Sequence, residues 1–125
     1  MAADYRIDRI RECVFSNASG FLTDEDLLGH QRRLMRDADF RSHLNQLWDL
    51  HDLDRIDISA NAIRTLARNN PFGNGSRRAL VVDSPLSYGL ARMFQVYADE
   101  SPDEVEIFKD HGTAIDWLEA GETSN

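Results

Sequence analysis

Short apolar runs of strand length take turns along this chain with stretches in which apolar residues recur every three or four positions. A period of two puts alternate side chains on opposite faces of a strand, whereas a period near 3.6 gathers them on one side of a helix. Tyr5, Ile7 and Ile10 alternate with charged residues, and Cys13-Val14-Phe15 precedes the turn-forming Ser16-Asn17-Ala18-Ser19-Gly20, which predicts two antiparallel strands. Gly20-Phe21-Leu22-Thr23 then opens a helix. Thr23 is its N-cap, Asp24, Glu25 and Asp26 sit at the positive end of its dipole, and Leu27, Leu28, Leu34 and Met35 form its buried face. Leu44, Leu47, Trp48 and Leu50 are dense enough for a central strand covered on both faces.

Ser59 precedes a second helical stretch, carrying Ile63, Leu66 and Ala67 and stopped by Asn69-Asn70-Pro71 and the Gly73-Asn74-Gly75 loop. Ala79-Leu80-Val81-Val82 is a strand. Ser84 and Pro85 follow as N-cap and first residue of a helix bearing Leu86, Leu90, Met93, Phe94 and Tyr97, since proline there costs no needed amide. Val105-Glu106-Ile107-Phe108 makes a last strand, and Ala114, Ile115, Trp117 and Leu118 a last helix closed by Gly121, with residues 122–125 a loose tail. The order is β-β-α-β-α-β-α-β-α. Strands separated by helices pair in parallel, so the prediction is one α/β domain over residues 1–121, with a mixed, mostly parallel sheet of four or five strands flanked by about four helices.

Composition narrows the function classes. A net charge of −8 opposes both nucleic-acid backbones and anionic membranes as main partners. The longest aliphatic run is far too short to span a bilayer, and the first residues meet charges at once, so no export or membrane insertion is expected. Cys13 is the only cysteine, which excludes an internal disulfide and fits a reducing, cytoplasmic setting.

Several blocks together resemble the SpoIIAA-like branch of the STAS domains, which is distantly similar to CRAL-TRIO lipid-transfer domains. The blocks are Gly20-Phe21-Leu22-Thr23, Leu47-Trp48-Asp49-Leu50, Arg78-Ala79-Leu80-Val81-Val82, and Ser87-Tyr88-Gly89-Leu90-Ala91-Arg92-Met93-Phe94. Val105-Glu106-Ile107-Phe108 with Ala114-Ile115-Asp116-Trp117-Leu118 completes the set. The resemblance covers nearly the whole chain. It implies a non-enzymatic regulatory module of bacterial signalling that binds another protein, a regulatory kinase or anti-sigma-type partner, and it is compatible with a homodimer. In regulatory members an aspartate-serine-serine-glycine motif begins a helix, and its second serine is phosphorylated. Asp57-Ile58-Ser59-Ala60 lies in the matching place, with Asp57 and Ser59 retained, Ile58 for the first serine and Ala60 for the glycine. Ser59 is thus a helix cap or a phosphoacceptor, on a candidate interaction surface of Asp57, Ser59, Asn61 and Arg64.

Other residues suggest other classes. Asp49, His51, Asp83 and Ser84 stand at strand ends, where open α/β sheets place ligand crevices beside a switch point. His51 between Asp49 and Asp52 suits acid or base work, yet no recognised nucleophile motif accompanies it, so a small hydrolase-type enzyme is the weakest reading. The histidines and the lone cysteine show no metal-ligand spacing, and no cofactor motif is present. The broad stripe from Leu86 to Tyr97 is core, or lines a cavity for a small apolar or lipid-like ligand. Arg77, Arg78 and Arg92 would then meet a head group, or are ordinary surface arginines. The acidic runs 24–26 and 99–104 are expected to be solvated helix ends and loops.

Overall fold

A computed structural model describes residues 2–99 and 101–120; the predicted closure at Gly121 and the tail 122–125 lie outside the described residues. The order is β1 (Ala3–Asp8), β2 (Cys13–Ala18), β3 (Gly20–Thr23), α1 (Asp24–Arg36), β4 (Asn45–Asp49), β5 (Leu53–Asp57), α2 (Ala60–Arg68), β6 (Arg77–Val81), α3 (Pro85–Tyr97), β7 (Glu104–Phe108) and α4 (His111–Ala120). Five strands form a sheet in the order β1-β2-β4-β6-β7, with β1 antiparallel to β2 and every other pair parallel. This is the mixed, mostly parallel α/β sheet that the alternation predicts.

From β2 to β7 the strands follow one another across the sheet in a single direction. Parallel crossovers are right-handed, so α1, α2 and α3 fall on one face, and only α4, after edge strand β7, packs on the other. Side-chain alternation sorts the core accordingly. Trp48, Leu80 and Val82 meet Leu27, Ile63, Leu66 and Leu90 on the three-helix side, whereas Leu47, Ala79 and Val81 meet Ala114 and Leu118 beneath α4. β4 is buried on both faces, as its apolar density predicts. Each fully buried leucine or isoleucine there is worth ~1.5–3 kcal/mol against exposure.

Strands β3 and β5 correct the prediction. Gly20-Phe21-Leu22-Thr23 is not the first turn of a helix but a short strand, pairing in parallel with Leu53–Asp57 in a separate two-stranded sheet. Its register shifts between Gly20 and Phe21, and Gly20 has φ +66, in the region glycine tolerates best. Three of the five β5 residues are charged, and the broken register removes the clean alternation that marks a strand. The pair runs side by side into two helix starts: Thr23, the cap of α1, lies opposite Asp57, two residues before the cap of α2.

Two smaller expectations also change. Ile10 is not in a strand but 96% exposed in a turn, where the Asp8 carboxylate accepts from the amides of Ile10 and Arg11. Met35 is half exposed, because it follows buried Leu34 by one residue and so turns about 100° off the buried stripe of α1.

Candidate functional site

The helix starts behave as their sequences predict. Thr23 and Asp26 form a reciprocal capping box, and Ser84 with Ser87 forms another behind Pro85. Ser59 caps α2 by accepting from the Ala62 amide at 3.0 Å. The tertiary structure adds a second partner. The Asp24 carboxylate, in the first turn of α1, accepts both the Ser59 amide and the Ser59 hydroxyl, each at 2.8 Å. Parallel pairing of β3 with β5 brings these groups together. Asp57, Ser59, Asn61 and Arg64 are all exposed on this edge, and Arg64 lies over the Tyr97 ring of α3 at 5.8 Å. The acidic residues 24–26 are therefore not merely solvated: Asp24 joins two helices and Asp26 completes a cap.

The second predicted group gathers at the adjacent ends of β4 and β6, where the Leu50 amide bonds the Val81 carbonyl. His51 Nδ1 is held by the Asp49 carboxylate, which also accepts the His51 amide. That hydrogen bond is the largest cause, and with the charges of Asp49, Asp83 and Asp52 it outweighs the opposing effect of burial and raises the His51 pKa above 6.5. Ser84 is not joined to this pair. Its hydroxyl is occupied with the Ser87 amide and hydroxyl at 3.1 Å. A groove beside β1 and β2 takes in Asp49 but not His51, Asp83 or Ser84. The predicted crevice lacks its topological cause, since the strand order contains no reversal among the parallel strands. Asp49→Asn is expected to bring the His51 pKa back toward 6.5, which an NMR titration of the ring protons would register; an unmoved midpoint would remove Asp49 as the cause. The stability His51 lends is present below pH 6.5 and is lost as pH rises through its folded-state pKa, and solvent screening keeps it small.

A third group was not predicted at all. Arg78 is only 4% exposed, against the expectation of a surface arginine. Its Nη1 donates to Asp103 Oδ2 at 3.2 Å and to Asn70 Oδ1 at 3.3 Å, and its Nε donates to Gln46 Oε1 at 3.0 Å. The guanidinium lies between two rings, 4.6 Å from the centroid of Phe72 and 4.9 Å from that of Phe94. Asp103, expected in a solvated acidic loop, is buried as its counter-ion. From Gln46 the chain of bonds continues. Gln46 Nε2 donates to Ser16 Oγ at 3.0 Å, and Ser16 Oγ lies 2.9 Å from His30 Nε2. The His30 ring lies 4.4 Å from that of Trp48, tilted by 37°, and burial first, then the charges of Arg33 and Arg78, push its pKa down to about 3.

This polar row lies on the three-helix face of the sheet, beside a cavity of about 50 Å³ lined by His30, Arg78 and mostly apolar side chains of α1, α2 and α3. One sequence signal pointed to it. In a strand, Arg77 and Arg78 must face opposite sides, so one of them had to enter the interior. Among the described residues no cluster of metal-ligating side chains occurs, and no helix is long and apolar enough to cross a membrane. Cys13 is buried, and its thiol is pushed up to about 12 by that burial, which leaves little thiolate at neutral pH.

The sequence matches no protein-family model and no curated protein. Among solved structures, the chain is similar to an uncharacterised protein of the DUF3478 family with a SpoIIAA-like fold from Shewanella loihica PV-4. The two share 23% identity over 94% of each chain, with a TM-score of 0.64. The fold is therefore SpoIIAA-like, the STAS-type architecture.

Proposed function

We propose that this SpoIIAA-like domain works as a non-enzymatic regulatory module, binding another protein through the edge where α1 and α2 begin. A regulatory kinase or anti-sigma-type protein is the kind of partner the fold resemblance suggests. The observation that carries this reading is the Asp24–Ser59 bridge, an exposed serine that holds two helix starts together. A phosphate there would add about −1.5 to −2 charges. The helix dipole would favour it, but the Asp24 carboxylate already occupies the hydroxyl at 2.8 Å and would repel it. Modification would thus part α1 from α2 rather than decorate an unchanged surface. The engagement of Ser84 within its own cap supports the non-enzymatic half of the proposal.

A carrier of lipid-like molecules is the other reading of the fold, and the interior gives it less support. A cavity of about 50 Å³ is smaller than the roughly 150 Å³ that admits benzene, so an acyl chain would need the helices to move apart.

Purified wild-type, Ser59→Ala, Ser59→Glu and Arg64→Glu proteins would be compared in affinity capture from the native cell. A partner held by wild type and lost with Ser59→Glu and Arg64→Glu supports the edge; equal capture by all four proteins overturns it. Ser59→Ala is expected to cost ~1 kcal/mol through the lost cap, lowering Tm by about 3–5 °C.

A further inference from the structure

The buried polar row carries a consequence for the cavity beside it. Arginine has only donors, so the Gln46 atom facing Arg78 Nε is the carbonyl oxygen, and the Gln46 amide nitrogen must face Ser16. Ser16 Oγ, already accepting from Gln46, has one proton to give, and its other neighbour is His30 Nε2. The arrangement that uses this proton makes Nε2 an acceptor and leaves the imidazole hydrogen on Nδ1. Among the described residues His30 Nδ1 has no hydrogen-bond partner, and neither has Arg78 Nη2, whose sister nitrogens are both engaged; neither atom is fully closed off from space that a water could reach. Two donors, on side chains 3% and 4% exposed, thus have no protein partner, and both residues line the same mostly apolar cavity, from which a small molecule can reach them.

We propose that this cavity is a binding site for a small neutral molecule with a hydrogen-bond acceptor, a carbonyl compound of about four non-hydrogen atoms. Its size follows from the space: a water-sized sphere takes roughly 10–15 Å³ in this measure, and the cavity offers about 50 Å³. Neutrality follows from Asp103, which already balances Arg78, so a bound anion would leave a net buried negative charge. The need for an acceptor follows from two free donors, and apolar walls favour carbon for the remainder. A ligand this small binds no tighter than about 40 µM. The site is separate from the Ser59 edge and stands or falls without it.

Acetone, isobutene and acetate each have four non-hydrogen atoms and differ in the properties at issue. Each would be titrated into the full chain while methyl resonances are followed by NMR. Acetone is expected to give saturable shifts at the methyls of Leu34, Ile63, Leu66 and Leu90, with a Kd about tenfold below those of isobutene and acetate. His30→Phe keeps a ring against Trp48, removes one donor, and is expected to weaken acetone about fivefold while leaving isobutene unchanged. Ser59→Ala is expected to bind acetone as wild type does. If His30→Phe does not fold, the three-ligand comparison on wild type decides alone. No saturable shift at the cavity methyls overturns the site; isobutene binding as well as acetone overturns the donors' role; acetate binding as well overturns neutrality.

Discussion

Asp103→Ala is expected to destabilise the protein by about 3–5 kcal/mol, because it leaves the Arg78 guanidinium buried without its counter-ion. The loss is large against the ~5–15 kcal/mol of a typical domain. Arg78 retains Gln46, Asn70 and the rings of Phe72 and Phe94, but none of these carries the opposing charge. Asp103 also accepts from the Asn70 side chain at 2.8 Å, so the loop before β6 loses an anchor in the same change. The pair itself contributes far less than its breakage costs, since desolvating two charges offsets most of their attraction. Arg78→Met combined with Asp103→Leu should therefore recover most of the stability, short of the cost of the unpartnered Gln46 carbonyl, roughly 1–3 kcal/mol. Urea denaturation of the single and double variants measures both. A cost below about 1 kcal/mol for Asp103→Ala would mean that water reaches Arg78 and that the pair is not truly interior.

The second large effect is acid sensitivity through His30. Its folded-state pKa of about 3 lies well below the ordinary 6.5, so between these values the unfolded chain binds a proton that the native imidazole refuses. Stability from this residue is complete above pH 6.5 and falls as pH drops toward 3, at about 1.4 kcal/mol per unit. Summed over the window, that is roughly 4–5 kcal/mol. Denaturation curves of wild type and His30→Phe at pH 7, 5.5 and 4.5 would isolate it, because the carboxylates titrate alike in both. The wild type should lose stability faster on acidification. Parallel losses would show that native His30 takes up its proton as freely as the unfolded chain does.

The elements whose residues carry their own instructions were readable without the structure. Thr23, Ser59 and Ser84 cap helices because a short hydroxyl before a periodic apolar stretch satisfies free amides locally. Asn45–Asp49 and Arg77–Val81 are interior strands because apolar residues crowd both parities of their sequence. β3 and β5 are not legible in the sequence because neither has the alternation of a strand, and each pairs with a strand about thirty residues away. Of the candidate sites, the Ser59 edge was visible in position but not in its bridge to Asp24. The strand-end cluster was visible in its residues, but its members are not united. His30, Gln46, Arg78 and Asp103 were not legible as a group, since they come from a helix, two different strands and a loop, and nothing local in the sequence joins them.

What the sequence alone determined is the alternation of the five main-sheet strands with four helices, the helix caps, the central strand and the SpoIIAA-like resemblance. The elements arise from interactions between residues a few positions apart, or from the parity of apolar residues along a strand, whereas the resemblance rests on blocks spread over nearly the whole chain. Only the tertiary structure decided which charges go inside and which helix starts meet. A buried arginine is stable only where a carboxylate from another loop, an amide from the neighbouring strand and two aromatic rings converge on it. Likewise, Asp24 reaches Ser59 only because two short strands run in parallel to the same edge. Such convergence depends on distances between segments far apart in the chain, and the order of residues within any one segment does not contain it.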